Sequence, residues 1–204
     1  MCIRDSLYCD SPKSNIRKST RTVLDLLFDY LVRWFAPILC FTAEEVRKSR
    51  FPDLNNSIHE MQFLDVKNEW SNSELFEKWE SIRSIRKVVT GAIELERKEK
   101  RIGSSLEAKP ILFISDDKYV GALKDIDLPE IFITSQAELR NEKGPENAFT
   151  LDEIDDVAVI CDIAEGNKCS RSWKILPEVG TDKEYPDLSL RDAEVMREIN
   201  DKGN

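Results

Sequence analysis

The chain has 204 residues, 41% of them hydrophobic, and only seven glycines; this suits one or two cored domains and excludes a disordered or low-complexity chain. Its net charge of −9 excludes a uniformly basic nucleic-acid binder but leaves room for a local basic face. No apolar run approaches the roughly 18 residues that span a bilayer. The opening MCIRDSLYCD lacks the basic start and apolar run of a secretion signal. A cytoplasmic location with no membrane partner is expected.

The first helix is predicted within NIRKSTRTVLDLLFDYLVRWFAP. Val23, Leu27, Tyr30, Leu31 and Trp34 recur at helical spacing, and Leu24, Phe28 and Phe35 widen the stripe. Pro37 ends or kinks this helix. Thr42 and Glu45 in TAEE form a candidate capping box for a short second helix, which Phe51-Pro52-Asp53 closes. Residues 52–72 read as an irregular connector holding His59, the only histidine, for which a structural or merely exposed role is expected.

A long helix follows from about Ser73 to Arg101. Leu75, Trp79, Ile82, Ile85 or Arg86, Val89, Ala92 and Ile93 are its expected inner stripe, Gly91 its weak point and Gly103 its C-terminal cap. From Ile82 to Gly103 there are seven Lys/Arg (Arg83, Arg86, Lys87, Arg97, Lys98, Lys100 and Arg101) against three Glu. Such a run reads first as a solvated helix face. KPILFIS, IFITS and DVAVICDIA read as strands and DDKYVGALKDI as a short helix, together a small α+β unit. Pro145 to Glu165 carries seven Asp/Glu and no Lys/Arg. The tail ends in a polar helical stretch, DAEVMREINDKGN.

Five cysteines (Cys2, Cys9, Cys40, Cys161 and Cys169) are odd in number and widely spaced, which indicates reduced thiols; Cys40 reads as a small buried apolar residue. No glycine-rich phosphate loop and no Ser-His or Cys-His pattern is present. The residues taken alone point to a binding module. In the tail, Cys169-x-x-Ser172 is followed sixteen residues on by Ser189-x-x-Asp192. With cysteine at all four positions this would be a zinc-ribbon spacing. One thiol and one carboxylate are too few good ligands, so zinc is not expected. Trp173, beside Lys168 and Arg171, has two readings. It packs against Leu176 and Val179, or it stacks on an unpaired base while the cations hold phosphate.

Three segments together resemble the C-terminal part of bacterial isoleucyl-tRNA synthetases: LYCD with LVRWFAPILCFTAEEV, then IRKVVTGAIELERKEKRIGSSLEA, then EGNKCSRSW…LPEVG…YPDLSLRDAE. The APIL-FTAEE part marks the broad class I group; the ER-x-x-K-x-IGSSLEA ending is much more specific. The first six residues do not match; a helix ending in KDRLY belongs there, so 1–6 are expected to be a non-native start. The resemblance implies a helical anticodon-binding domain over 7–108 with its first helix truncated, the small α+β subdomain over 109–165, and a degenerate zinc-knuckle-like segment over 166–204. The fold class is thus a mainly α helical bundle of the class I synthetase anticodon-binding type, followed by the α+β unit and a zinc-ribbon-like tail.

The resemblance also implies a task. The family's four zinc cysteines fall on Cys169, Ser172, Ser189 and Asp192. Its HIGH and KMSKS motifs are absent, so ATP and magnesium belong to a catalytic core outside this chain, which is expected to be inactive alone. The implied partners are that core and the anticodon stem-loop of isoleucine tRNA. Arg83, Arg86, Lys87, Arg97, Lys98, Lys100 and Arg101 are the candidates for phosphate contacts, and Arg171, Trp173 and Lys168 for the anticodon bases. The alternative is a stand-alone RNA-binding or interaction protein derived from such a region.

Overall fold

A computed structural model describes residues 4–53 and 55–201. Cys2 and the last three residues of the expected tail helix lie outside the described residues. The chain falls into two compact units, Pro12–Asn72 and Met1–Ser11 together with Ser73–Asn204.

In the first unit, α1 (Asn15–Phe35) opens on Ser14, whose side chain accepts the Arg17 N–H, and stops ahead of Pro37. The expected inner stripe of α1 is largely uncovered within this unit. Tyr30 is buried, but Val23, Leu27, Leu31 and Trp34 are exposed. The small core consists of Ala36, Ala43 and Ile58, with Val32 and Met61 against them. The connector is tied to α1 by the Tyr30 hydroxyl, which donates to the Asp65 carbonyl at 2.8 Å. The Tyr30 ring also meets Trp34 and Trp70 edge-on.

The second helix, α2 (Cys40–Arg50), begins earlier than expected, with Leu39 as its N-cap and no side-chain cap. Thr42 therefore lies inside the helix, which corrects the capping box, and Cys40 is exposed instead of buried. The useful acid of TAEE is Glu44, not Glu45. Its carboxylate accepts the Ile58 N–H at 2.9 Å and the Ser57 hydroxyl at 2.9 Å, and pairs with Lys48 at 3.0 Å. The Ile58 N–H, then Lys48 and Ser57, hold its pKa down to about 2. Because the folded pKa is depressed, this contribution to stability is present above the ordinary value of 4.5 and lost as pH falls through about 2. Glu44→Gln is expected to lower the melting midpoint of the helical unit near neutral pH. The gap to the parent should close during an acid titration; a gap constant down to pH 2 would show that the charge does not matter. His59 Nε2 lies 3.2 Å from the Cys40 carbonyl oxygen at an exposed turn, a structural contact.

The long helix α3 (Ser73–Lys98) buries Ile82, Ile85, Val88, Val89, Ala92 and Ile93, at the three- and four-residue spacing of one helix face. Leu75 and Trp79, expected in the stripe, are exposed. The helix ends before Gly103. Lys100 takes the left-handed turn (φ 59°), and the Arg101 N–H closes back on the Glu96 carbonyl at 3.0 Å, the geometry usually given to glycine. The buried face of α3 packs on a four-stranded sheet, so α3 belongs to the sheet unit, where the sequence had grouped it with the first two helices.

The sheet has β1 (Ala108–Ile114), β2 (Glu138–Arg140), β3 (Phe149–Leu151) and β4 (Ile154–Ile163) in the order β2-β1-β4-β3. β1 pairs with β2 in parallel and with β4 antiparallel, Leu112 opposite Val159 and Ile114 opposite Val157. Leu112, Ile114, Val157 and Val159 share a core with α3, while Ile111, Phe113 and Ala158 form a second cluster. Apolar cover on both faces explains the unbroken run of PILFI. Each fully buried Ile, Val or Leu here contributes roughly 1.5–3 kcal/mol. At Gly91 this packing is close: a Cβ there would lie 2.7 Å from the Phe149 ring, so the expected weak point is a contact point.

Between β1 and β2 lie α4 (Asp117–Ala122) and α5 (Leu128–Phe132). The second corrects the strand expected at IFITS. Asp127 caps α5 by accepting the Glu130 N–H, Pro129 presets its first turn, and Ile133 stops it in the left-handed region. The tail carries β5 (Asn167–Lys168) paired with β6 (Ile175–Leu176), then α6 (Leu190–Asn200). Cys169, Val179, Leu188 and Ala193 form its core, with Leu176, Tyr185 and Met196 around them. Gln136 and Ser135 fasten the tail to the sheet: Gln136 Nε2 donates to the Glu165 carbonyl at 2.7 Å, and the Ile175 N–H donates to Ser135 Oγ at 2.7 Å.

Candidate nucleic-acid interface

A straight helix turns about 100° per residue, which puts Arg83, Arg86, Lys87, Arg97 and Lys98 within about 120° of one another, opposite the buried face of α3. All five are exposed. The stripe runs about 22 Å along the helix at 1.5 Å per residue. It is partly neutralised. Arg83 pairs with Glu80, Lys87 with Glu153, and Arg97 with Glu94 at 2.7 Å. Arg83 also lies over the Phe76 ring. Arg101 pairs with Glu96 and, at 3.3 Å, with Glu99. Among the described residues, Arg86, Lys98 and Lys100 are exposed and make no ion pair. At the C-terminal end of α3, an open depression is lined by Arg97, Lys98, Lys100 and Arg101 together with Glu94 and Glu107. Exposed pairs of this kind exchange partners at little cost, so the acids do not close the face to a polyanion.

The tail residues divide. Trp173 is 48% exposed, instead of buried against Leu176 and Val179 as one reading had it. Its backbone is left-handed (φ 67°), set by the turn in which its N–H donates to the Cys169 carbonyl and the Cys169 N–H to that of Lys174. The exposed Lys168 ammonium sits 5.4 Å from the Trp173 ring centroid. A half-exposed indole with a cation against it is the side-chain pairing that single-stranded nucleic acid meets by stacking and charge.

Arg171 faces inward instead. Its guanidinium donates to the Cys9 carbonyl, to the Tyr8 carbonyl at 3.0 Å and to Asp192 Oδ1 at 3.2 Å. The thiol of Cys9 returns a bond to the Arg171 carbonyl. Arg171 is therefore a positioning residue that fastens residues 8 and 9 to the tail loop.

The four positions that the resemblance gives to zinc cysteines converge. Cys169, Ser172, Ser189 and Asp192 are all buried. Asp192 Oδ2 accepts from the Cys169 thiol at 3.2 Å and from the Ser189 hydroxyl at 3.0 Å. Asp192 Oδ1 faces Arg171 and Arg191, each at 3.2 Å. Burial opposes the Asp192 charge, but Arg191 and the donors Cys169, Ser172 and Ser189 outweigh it and hold its pKa below the usual carboxylate range. Ser172 Oγ favours that charge from nearby yet has no partner at hydrogen-bonding geometry. Ser189 caps α6 and its Oγ accepts the Asp192 N–H at 3.2 Å, while the Ser189 N–H points at Cys169 Sγ at 3.3 Å.

Two residues of this cluster escaped the sequence reading. Asp5, set aside with the first six residues, is buried and pairs with Lys174 at 2.8 Å and Arg191 at 2.6 Å. It matches the Asp of the expected KDRLY ending, with Leu7 and Tyr8 following in register. Arg191, inside the quoted LSLRDAE, joins Asp5 to Asp192.

The sequence profile of the anticodon-binding domain of tRNA ligase matches residues 1–112, which include α1, α2, α3 and the start of β1. The chain is 50% identical over 196 residues to the isoleucine–tRNA ligase of Agrobacterium fabrum, covering 96% of this chain and 20% of that protein. It is 47% identical over 200 residues to that of Rhodopseudomonas palustris and 46% over 195 residues to that of Bradyrhizobium diazoefficiens, with the same shares. The chain spans about a fifth of the length of these relatives. No helix of the described residues is long and apolar enough to cross a membrane.

Proposed function

The chain belongs to the anticodon-binding domain family of tRNA ligases, and on that premise we propose that it is the tRNA-gripping end of an isoleucine–tRNA ligase. The observation that carries this reading is near-50% identity to isoleucine–tRNA ligases across 96% of the chain. The intact protein would join isoleucine to its tRNA with ATP and magnesium, in the four-fifths of the relatives' length that this chain does not cover. The apolar face of α1, with Val23, Leu27, Leu31 and Trp34 exposed, is then the surface on which the rest of the ligase lies.

Two features of the sheet unit support a role in RNA binding. The cationic face of α3 neutralises phosphates, which gives affinity without sequence preference. Trp173 offers a flat apolar surface to an unpaired anticodon base, with Lys168 supplying charge beside it. Arg171 serves this contact indirectly, by holding the loop on which Trp173 stands. The zinc-ribbon-like tail is thus a base-reading platform and α3 a backbone clamp.

A gel-shift titration at fixed moderate salt tests the reading. Isoleucine tRNA should bind more tightly than an unrelated tRNA. Trp173→Ala should weaken binding about 10-fold or more, since one base–aromatic stack is worth roughly 1–3 kcal/mol. The double variant Arg86→Glu/Lys98→Glu should weaken both tRNAs alike and flatten the salt dependence. Equal affinity of the parent chain for the two tRNAs would sink the specificity claim.

A further inference from the structure

We propose that the tail of this chain closes without metal, and that the buried Asp192 carboxylate with Arg171 and Arg191 does the joining that zinc does in a four-thiolate knuckle. The residues present do not fit zinc. Structural zinc is held by thiolates and imidazoles, whose charge and softness compensate the ion for its lost water. Of the four converging positions only Cys169 is a thiol, and Ser172 and Ser189 offer neutral hydroxyls. Both oxygens of Asp192 are already engaged, Oδ2 by Cys169 and Ser189, and Oδ1 by the two guanidiniums. A dication in this space would also face two fixed positive charges with at most one thiolate and one carboxylate to offset them.

The replacement has its own logic. Ser189-x-x-Asp192 is the start of a capped helix: Ser189 is the N-cap and Asp192 stands three residues on. In a capping box the acid reaches back to the N-cap N–H. Here Cys169 Sγ takes that place at 3.3 Å, so the surviving thiol joins the first half of the knuckle to the cap of the second. Asp192 is freed to bind Arg171, which comes from the first half, and Arg191, which carries the charge on to Asp5. Ser170 adds a parallel link, its hydroxyl donating to Asp187 Oδ2 at 2.6 Å and its N–H to the Asp187 carbonyl at 2.9 Å.

Three measurements on the chain test the proposal. Protein prepared with added zinc and then dialysed should hold under about 0.1 zinc per chain, and a chelator should leave its melting midpoint unmoved. Ser172→Ala should leave zinc content and the response to a chelator unchanged, because this hydroxyl lies near the Asp192 carboxylate and has no metal to hold. Arg171→Met should speed hydrogen exchange of the 169–176 amides at least about tenfold, since the two halves lose the charged link between them. About one tightly held zinc per chain, or a melting midpoint that falls when a chelator is added, would overturn the metal-free reading. Unchanged exchange in Arg171→Met would overturn the part given to the arginine.

Discussion

Asp192→Ala is expected to cost about 3–5 kcal/mol of unfolding free energy, the range for breaking a buried ion pair from one side. The residue is 0% exposed and both of its oxygens are engaged. Its removal leaves the largely buried Arg171 without a counter-charge and takes from the Cys169 thiol and the Ser189 hydroxyl their acceptor. Solvent-exposed pairs are worth only about 0–1 kcal/mol, so the magnitude itself decides whether this cluster acts as an interior or a surface feature. Urea unfolding gives the total, and hydrogen exchange over residues 167–200 locates it. A loss below about 1 kcal/mol would show that water replaces the carboxylate and that the cluster does not hold the tail.

Gly166→Ala is expected to cost roughly 3 kcal/mol or more, by a different route. Gly166 has φ +116°, a region that L side chains rarely adopt. A Cβ there would lie 2.3 Å from the Leu176 carbonyl carbon, 2.4 Å from its oxygen and 2.6 Å from the Pro177 nitrogen. These are backbone atoms, which cannot swing aside as a side-chain tip can, so the β5–β6 pairing must open. Gly121→Ala is the matched control. It lies in α4 with nothing within 4 Å of the added carbon, so it should stabilise by up to about 1 kcal/mol. Thermal unfolding of the two variants side by side checks the pair; equal midpoints would refute the close approach at Gly166.

Most of the α3 face was legible, because Ile82, Val89, Ala92 and Ile93 recur at helical spacing; Val88 beside them was missed. Its end was not, because Lys100 adopts a conformation that composition assigns to Gly103. IFITS misled because β-branched residues suit either a strand or a stop, while the signal that decided the matter lay just upstream, in an aspartate and a proline that start a helix. The exposed stripe of α1 shows the converse. Periodicity identifies an apolar face, not the segment that covers it.

In the tail, spacing was enough to bring Cys169, Ser172, Ser189 and Asp192 together, since the interval between the pairs carries the geometry of a knuckle whatever the side chains. Reading Ser189-x-x-Asp192 as two replaced cysteines obscured its other meaning as a helix cap. The direction of Arg171 was not legible at all. Adjacent in sequence to Ser172 and two residues from Trp173, it looks like a partner of the indole, yet it turns toward Tyr8 and Cys9, more than 160 residues away.

That separation bears on how the protein is made. Cys9 and Arg171 lie 162 residues apart, and at about 5–20 residues per second of synthesis the carbonyls of Tyr8 and Cys9 wait roughly ten to thirty seconds for their arginine. Asp5 waits longer still for Arg191. The sheet and α3 can assemble in that interval, but the clamp at residues 5–9 begins to close only with Arg171 and Lys174 and is complete only when Arg191 of α6 has emerged. A chain halted before Arg171 has all the strands of its sheet but leaves a buried-type aspartate and two backbone carbonyls without the cations that meet them, a local mark of a stalled chain.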